Sequence, residues 1–233
     1  MDMAALCAAI PMDAYIKIMA SQNLTSVRMQ SFPLGIDAKY NNAMRSRALL
    51  LNCVTNAYTK LWQECWNQAF AQESWSIEDK RLKSFSTLTE NWQWSTPLRN
   101  YFERRQALVE IDVIASMALG LSLSDLEMIY TIQFPVLQQN ENDTWYDANG
   151  NVVFTCSKGL VGVGLDRPAW ESMRGELSED GLTYAGTAPT YEHTITKSEL
   201  YQGQKQTFVA PYTRCDRIAD YRRAWAHFEK QFK

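Results

Sequence analysis

Apolar positions recur every three or four residues at the start of the chain, at Leu6, Ile10, Tyr15, Ile16 and Met19, and predict a helix over 4–19 that Pro11 bends or interrupts. A polar stretch over 20–26 leads into Ser31-Phe32-Pro33-Leu34-Gly35, where the proline forces extended backbone before a turn. From Asn41 to Ala71 the positions Met44, Leu50, Leu51, Val54, Tyr58, Leu61, Cys65 and Ala69 keep helical spacing. They predict one long helix of about eight turns. On it Trp62 and Trp66, four apart, share a face that reads as core. Residues 72–96 are polar and rich in Trp, Ser and Thr, which predicts a loop with one short helix.

Thr96 can cap and Pro97 fits a first helical position, so a helix is expected from Pro97 to Leu119, stopped by Gly120. Leu98, Tyr101, Phe102, Leu108, Ile111, Ala115 and Leu119 build its apolar side, and Arg99, Glu103, Arg104, Arg105, Glu110 and Asp112 decorate the rest. Ser124 and Glu127 have capping-box spacing and open a helix that ends at Phe134, before Pro135. Beyond Asn140, Thr144–Asp147 and Val152–Thr155 flank Asn149-Gly150, a strong hairpin signal. A broken region rich in glycine runs to about Gly203, and Gln206–Pro211 is one more candidate strand. Asp216 then caps a closing helix carrying Ile218, Tyr221, Trp225, Phe228 and Phe232 in a four-three-four register. There is no internal repeat. The expected fold is mainly α with a small β-hairpin insertion, an α+β chain with a long helical spacer. Its expected organisation is an N-terminal region over 1–40, a helical spacer over 41–138, and a hairpin-containing region over 139–233 closed by the last helix.

Composition narrows the function more than the fold. Twenty-three Lys and Arg against 26 Asp and Glu give a net charge of −3, which argues against a histone-like basic protein while leaving room for a local basic face. The most apolar stretch, Ala4–Pro11, is far too short to span a membrane, and Asp2 stands where a signal peptide would carry basic residues. A cytoplasmic protein with no membrane partner is expected. Five cysteines at wide, irregular spacing and two histidines, His193 and His227, signal neither a disulfide framework nor a metal site. Cys7, Cys53 and Cys65 read as core residues, and no histidine adjoins a cysteine in sequence to activate it.

The glycines at 159, 162 and 164 invite a phosphate-loop reading, but the Leu165-Asp166-Arg167-Pro168 that follows lacks both the Lys-Ser/Thr of a P-loop and a helix signal. Glu110 and Asp112, two apart on a helix, point in different directions and do not form a metal pair. Asp143 and Asp147 suit turn and edge chemistry. Arginine is more suggestive. Arg45 with Arg47, Arg104 with Arg105, Arg214 with Arg217, and Arg222 with Arg223 form four clusters near aromatic residues, a mix that suits phosphate and base contacts or a solvated helix face.

Several strings carry a resemblance. Ala4–Tyr15, continuing through Gln22-Asn23-Leu24-Thr25 to Met29–Leu34, resembles the closing stretch of the target-recognition region in adenine-specific DNA methyltransferases of the fused restriction–modification type. Cys7-Ala8-Ala9 replaces the usual Leu-Asn-Ser, and Gly35 stands where a second proline often sits. Ala48–Thr55 with Tyr58, Leu61 and Trp62 is similar to the following helix in large methylases of bacterial anti-phage defence. Arg104–Asp112, Ile132–Leu137, Asp143–Asp147 and Asp216–Tyr221 are similar to the C-terminal tail of the same proteins. The family's Asp/Asn-Pro-Pro-Tyr/Phe motif and its glycine loop for S-adenosylmethionine have no counterpart here, since no Pro-Pro occurs.

The resemblance therefore implies the C-terminal, target-recognition and spacer part of such an enzyme, non-catalytic by itself. It implies double-stranded DNA and a methyltransferase catalytic domain or subunit as partners. S-adenosylmethionine would belong to that partner, with no cofactor on this chain. Gln22 and Asn23 are the amides of the matched loop that suit adenine edges, and Arg45, Arg47, Arg104, Arg105, Arg222 and Arg223 are the expected phosphate contacts. The alternative is a protein-interaction subunit that binds the catalytic partner without touching DNA, suggested by eight tryptophans and the acidic balance.

Overall fold

A computed structural model describes residues 1–19, 25–33, 35–157, 160, 162–196 and 202–233. In chain order the elements are α1 (Asp2–Ala8), α2 (Ile10–Ile18), α3 (Ser26–Gln30), α4 (Asn41–Asn52), α5 (Thr59–Cys65), α6 (Tyr101–Ala118), α7 (Leu123–Gln133) and α8 (Pro135–Asn142). Then come β1 (Thr144–Tyr146), β2 (Val152–Thr155), α9 (Arg167–Met173), β3 (Thr183–Tyr184), β4 (Thr190–Thr194), β5 (Lys205–Val209), β6 (Tyr212–Thr213) and α10 (Arg217–Gln231). The chain is mixed α+β and mainly helical. It forms two compact units: Met1–Arg99 with Arg104–Phe134 and Ile218–Lys233, and Asn100–Glu103 with Pro135–Arg217. Apart from Asn100–Glu103, the second unit is thus a sequence insertion between α7 and α10; the expected boundary at 40/41 falls inside the first unit, and the one at 138/139 lies close to the start of the insertion.

In the first unit, Ala9 takes extended backbone between α1 and α2, and Pro11 sits in the first turn of α2, as the sequence predicts. The single long helix over 41–71 is not formed. α4 ends at Asn52, and 3₁₀ turns at Asn56–Tyr58 and Gln68–Gln72 flank the seven-residue α5. Its last carbonyls find partners elsewhere: Leu50 O accepts from Leu98 N, Leu51 O from Arg104 Nη1, and Cys53 O from Trp92 Nε1. A helix end needs such partners for its unpaired carbonyls, and here a segment some forty residues downstream supplies them. Trp62 is buried as expected, its ring centroid 5.6 Å from that of Trp66 and its indole N–H on Thr89 O.

The same attachment moves the start of α6. Leu98 N is bonded to Leu50 O and Thr96 Oγ1 accepts from Gln93 N, so Thr96 and Pro97 close a turn rather than open a helix. Asn100 is the cap, with Asn100 Oδ1 accepting from Glu103 N and Glu103 Oε1 from Asn100 N. At the other end, Gly120 at φ 74° donates to Met117 O and Leu121 donates to Ser116 O, the paired bonds of a left-handed helix stop. The capping box of α7 is Ser122 with Asp125, two residues before the expected pair.

α6 is buried nearly all round from Phe102 to Ser116, including Arg105, Gln106, Glu110, Asp112 and Ser116. Four of the six charged side chains expected to decorate its outside, Glu103, Arg105, Glu110 and Asp112, are therefore inside. α1, by contrast, turns Ala5 and Leu6 inward and leaves Cys7 exposed, which corrects its reading as a core residue.

In the second unit the expected hairpin is present. β1 pairs antiparallel with β2 and bulges at Trp145/Tyr146, and β6 and β3 extend the sheet in the order β2-β1-β6-β3. Asp147 closes the turn through Oδ1, which accepts from Asn149 N and Asn151 N. β4 and β5 form a separate two-stranded ribbon. Gly164, at φ 69°, lies so close to Val153 O that a Cβ would collide with backbone, which gives that glycine a packing reason. Directly after it, α9 opens on Asp166, whose side chain accepts from Ala169 N, with Pro168 in its first turn. A helix does therefore follow the glycine run, contrary to the sequence expectation. Its Trp170 rings with Trp145, Phe154, Tyr184 and Tyr212 at centroid distances of 5.4–5.8 Å and centres the aromatic core.

Candidate nucleic-acid interface

The first unit is organised around buried charge. Arg47, with its side chain 0% exposed, donates through Nε to Glu110 Oε2 at 2.5 Å, through Nη1 to Glu73 Oε2 at 3.1 Å and through Nη2 to Ser74 O at 2.7 Å. Glu110 Oε1 accepts in turn from Ser76 N, Ser76 Oγ and Gln106 Nε2. Arg105 donates to Asp220 Oδ2 at 2.7 Å, both side chains 7% exposed. Neither guanidinium can reach a phosphate, and Arg47 and Arg105 are withdrawn from the expected DNA contacts. Their job is to neutralise carboxylates that helix packing has taken out of water.

Asp112 is the junction of the unit. Its Oδ1 accepts from Ile10 N at 2.8 Å and its Oδ2 from Tyr221 Oη at 2.7 Å, all buried. Glu110 and Asp112 thus point to different partners, as their spacing predicts.

The other expected contacts sit nearer the surface. Arg45 grips both carboxylate oxygens of Asp2, which holds that carboxyl below its usual range. Arg104 is half-buried and caps α4 through Leu51 O, and also donates to Leu98 O at 3.4 Å. On α10, Arg222 pairs with Glu127 at 2.8 Å and Arg223 with Asp220 at 2.7 Å, yet their side chains are 62% and 56% exposed. A pair at the surface such as Arg222–Glu127 is worth only about 0–1 kcal/mol, so Arg222 can exchange its carboxylate for a phosphate at little cost. Arg223 leans on an Asp220 that is itself buried and already held by Arg105, and offers its exposed side to solvent. Gln22 and Asn23 lie outside the described residues. In the second unit, Arg217 is buried against Glu141, and Arg214 donates to Gly181 O and Asn142 O.

Sequence reasoning missed the segment from Trp92 to Arg99. Arg99 donates through Nε and Nη2 to Trp94 O, at 3.0 and 2.8 Å, which lays its guanidinium 3.9 Å from the centroid of the Trp94 ring. Lys83 Nζ donates to Thr96 O at 2.8 Å. The signal was the Trp-x-Trp followed by arginine five residues later, hidden in a stretch with no helical or strand period.

The cysteines offer no activated thiol where a shift is resolved: burial pushes Cys53 up to about 11 and raises Cys156 as well. Clefts open in both units. One in the second unit, about 190 Å³, is lined by groups such as Thr155, Ser157, Gly164, Asp166 and His193. One in the first unit, about 230 Å³, is lined mainly by apolar groups, among them Pro11, Met12, Tyr15, Ile18, Leu121 and Ile129. Among the described residues no group of three or more His, Cys, Asp or Glu could hold a metal ion, and no helix is long and apolar enough to cross a membrane. Comparison with protein-family models, curated proteins and solved structures gave no match for this chain.

Proposed function

We propose that this chain is a DNA-recognition and scaffolding module of an adenine-specific DNA methyltransferase in a restriction–modification or phage-defence system. One observation carries the reading. Three segments similar to that family, Ala4–Tyr15, Arg104–Asp112 and Asp216–Tyr221, lie far apart in sequence and meet at Asp112 and at the Arg105–Asp220 pair. These three of the strings on which the resemblance rests are therefore parts of one interior, and supporting each other is a physical reason for them to occur together. Methyl transfer, S-adenosylmethionine and base extrusion belong to a catalytic partner. This module supplies a stiff helical body and duplex contacts from the exposed arginines Arg222 and Arg223 of α10.

The test is a fluorescence-anisotropy titration of the chain with duplex DNA at about 50 and 200 mM salt, a range over which phosphate contacts lose affinity steeply. Salt-sensitive binding is expected, and Arg222→Ala with Arg223→Ala should lower the slope of log affinity against log salt by about two. Absence of binding at the lower salt would overturn the reading. It would leave a protein-interaction subunit instead, which the apolar cleft beside the 71%-exposed Ile18 favours.

A further inference from the structure

The loop Trp92–Arg99 is fastened to the first unit at several points. Trp92 Nε1 bonds Cys53 O and Leu98 N bonds Leu50 O, both at the end of α4, while Lys83 holds Thr96 O and Arg104 reaches Leu98 O. Between these anchors the loop presents Trp94, 69% exposed. Tryptophan is enriched at contact surfaces because it offers a large apolar face with a polar handle, and this one is held in a defined pose. Arg99 is clamped by two bonds to the Trp94 carbonyl and stacks on the indole, and the Trp92 ring stands edge-on at 6.5 Å. Most of the remaining indole surface faces solvent.

We propose that Trp94 on its Arg99 base is a stacking platform for an unpaired nucleobase of a DNA strand. Arg99 lies on the ring itself, and Lys83 and Arg104 donate to carbonyls of the same 94–98 loop, at Thr96 and Leu98, so the segment that carries the ring is bound by cations. That charge suits a ligand whose stacking face is attached to a phosphate. It opposes a cationic ligand such as a methylated lysine, and gives a proline-rich peptide, the other common partner of an exposed tryptophan, no matching charge. Stacking on indole is tolerant of base identity, so the platform would hold a displaced or single-stranded nucleotide without reading it. The inference rests on the DNA reading above and adds to it a strand that is not in duplex.

The experiment compares the 233-residue chain with Trp94→Ala, Trp94→Phe and Arg99→Ala, using a fluorescein-labelled single-stranded oligodeoxynucleotide and, separately, a fully paired duplex. Trp94→Ala should weaken single-strand binding roughly 5- to 150-fold, Trp94→Phe should recover much of that, and duplex binding should hardly change. Exposure of the ring means these variants should keep the thermal midpoint of the parent, which checks the fold. Unchanged single-strand affinity in Trp94→Ala overturns the platform. If the duplex slope still responds to Arg222 and Arg223, the recognition module survives that failure. If the chain binds neither form of DNA, both fall, and Trp94-dependent binding of an oligoproline probe instead would assign the ring to a peptide.

Discussion

The two units are stabilised by different chemistry. In the first, directional bonds to buried charges join distant segments: Arg47 to Glu110 and Glu73, Arg105 to Asp220, and Ile10 and Tyr221 to Asp112. In the second, rings do the joining, with Trp170 of α9 touching four aromatic side chains drawn from β1, β2, β3 and β6. Buried charge tolerates no loss of a partner, whereas ring packing tolerates exchange among shapes. The first unit should therefore be specified by identity and the second by volume.

The largest effects should expose that difference. Arg47→Ala and Trp170→Ala should each cost about 3–5 kcal/mol in denaturant unfolding, for opposite reasons. The conservative versions separate them. Arg47→Met keeps the packing but strands Glu110, and should cost nearly as much as alanine; Trp170→Phe keeps a ring against Phe154 and should cost clearly less. Equal recovery in both units would break the contrast.

Two tyrosines make the comparison at the scale of one hydroxyl. Tyr221 donates to buried Asp112, and Tyr221→Phe should cost about 1.5–3 kcal/mol. The buried Tyr212 hydroxyl has no hydrogen-bond partner among the described residues, and its acidity is suppressed to about 12 by burial and then by Asp147. Tyr212→Phe should be neutral or stabilising. Similar losses from both would mean that the hydroxyl of Tyr212 is satisfied in solution.

The smallest effect is in the pH dependence. His227 packs edge-on against Phe228, and its Nε2 is buried without a partner among the described residues. Burial lowers its affinity for a proton; Glu110 and Glu73 oppose that shift and Arg47 adds to it. A folded pKa below the unfolded 6.5 means the unfolded chain binds the extra proton first. Stability from this group is full above about 6.5 and is lost as pH falls toward the folded value, so the thermal midpoint should drop on acidification more in the parent than in His227→Gln. Identical pH profiles would remove His227 from the account.

What could be read in the sequence followed from local chemistry. The break at Pro11, the Asn149-Gly150 hairpin, the stop at Gly120 and the end of α7 before Pro135 each rest on residues within a few positions of the event. The failures were tertiary. Nothing local announces that Trp92, Leu98 and Arg104 complete the end of α4, and periodicity alone ran a helix through Cys53. α6 breaks the amphipathic rule because partners surround it, so Arg105, Glu110 and Asp112 looked like a wet face. α9 is legible in the capping Asp166 and first-turn Pro168, but its seven residues are too few to show a helical period. For the interface, arginine clusters were too coarse a signal: Arg47 and Arg105 turned inward while their neighbours stayed near the surface.

The position of Asp112 has a consequence for biosynthesis. Its carboxylate accepts from residue 10 and from residue 221, so a nascent chain can bring the first helices and α6 together yet must wait for almost its whole length before both of these bonds are made. The inserted second unit, which has its own aromatic core, is complete earlier on the ribosome. Truncation between Arg217 and Tyr221 would release a chain whose insert is finished and whose first unit is open, a form suited to capture by chaperones or proteases.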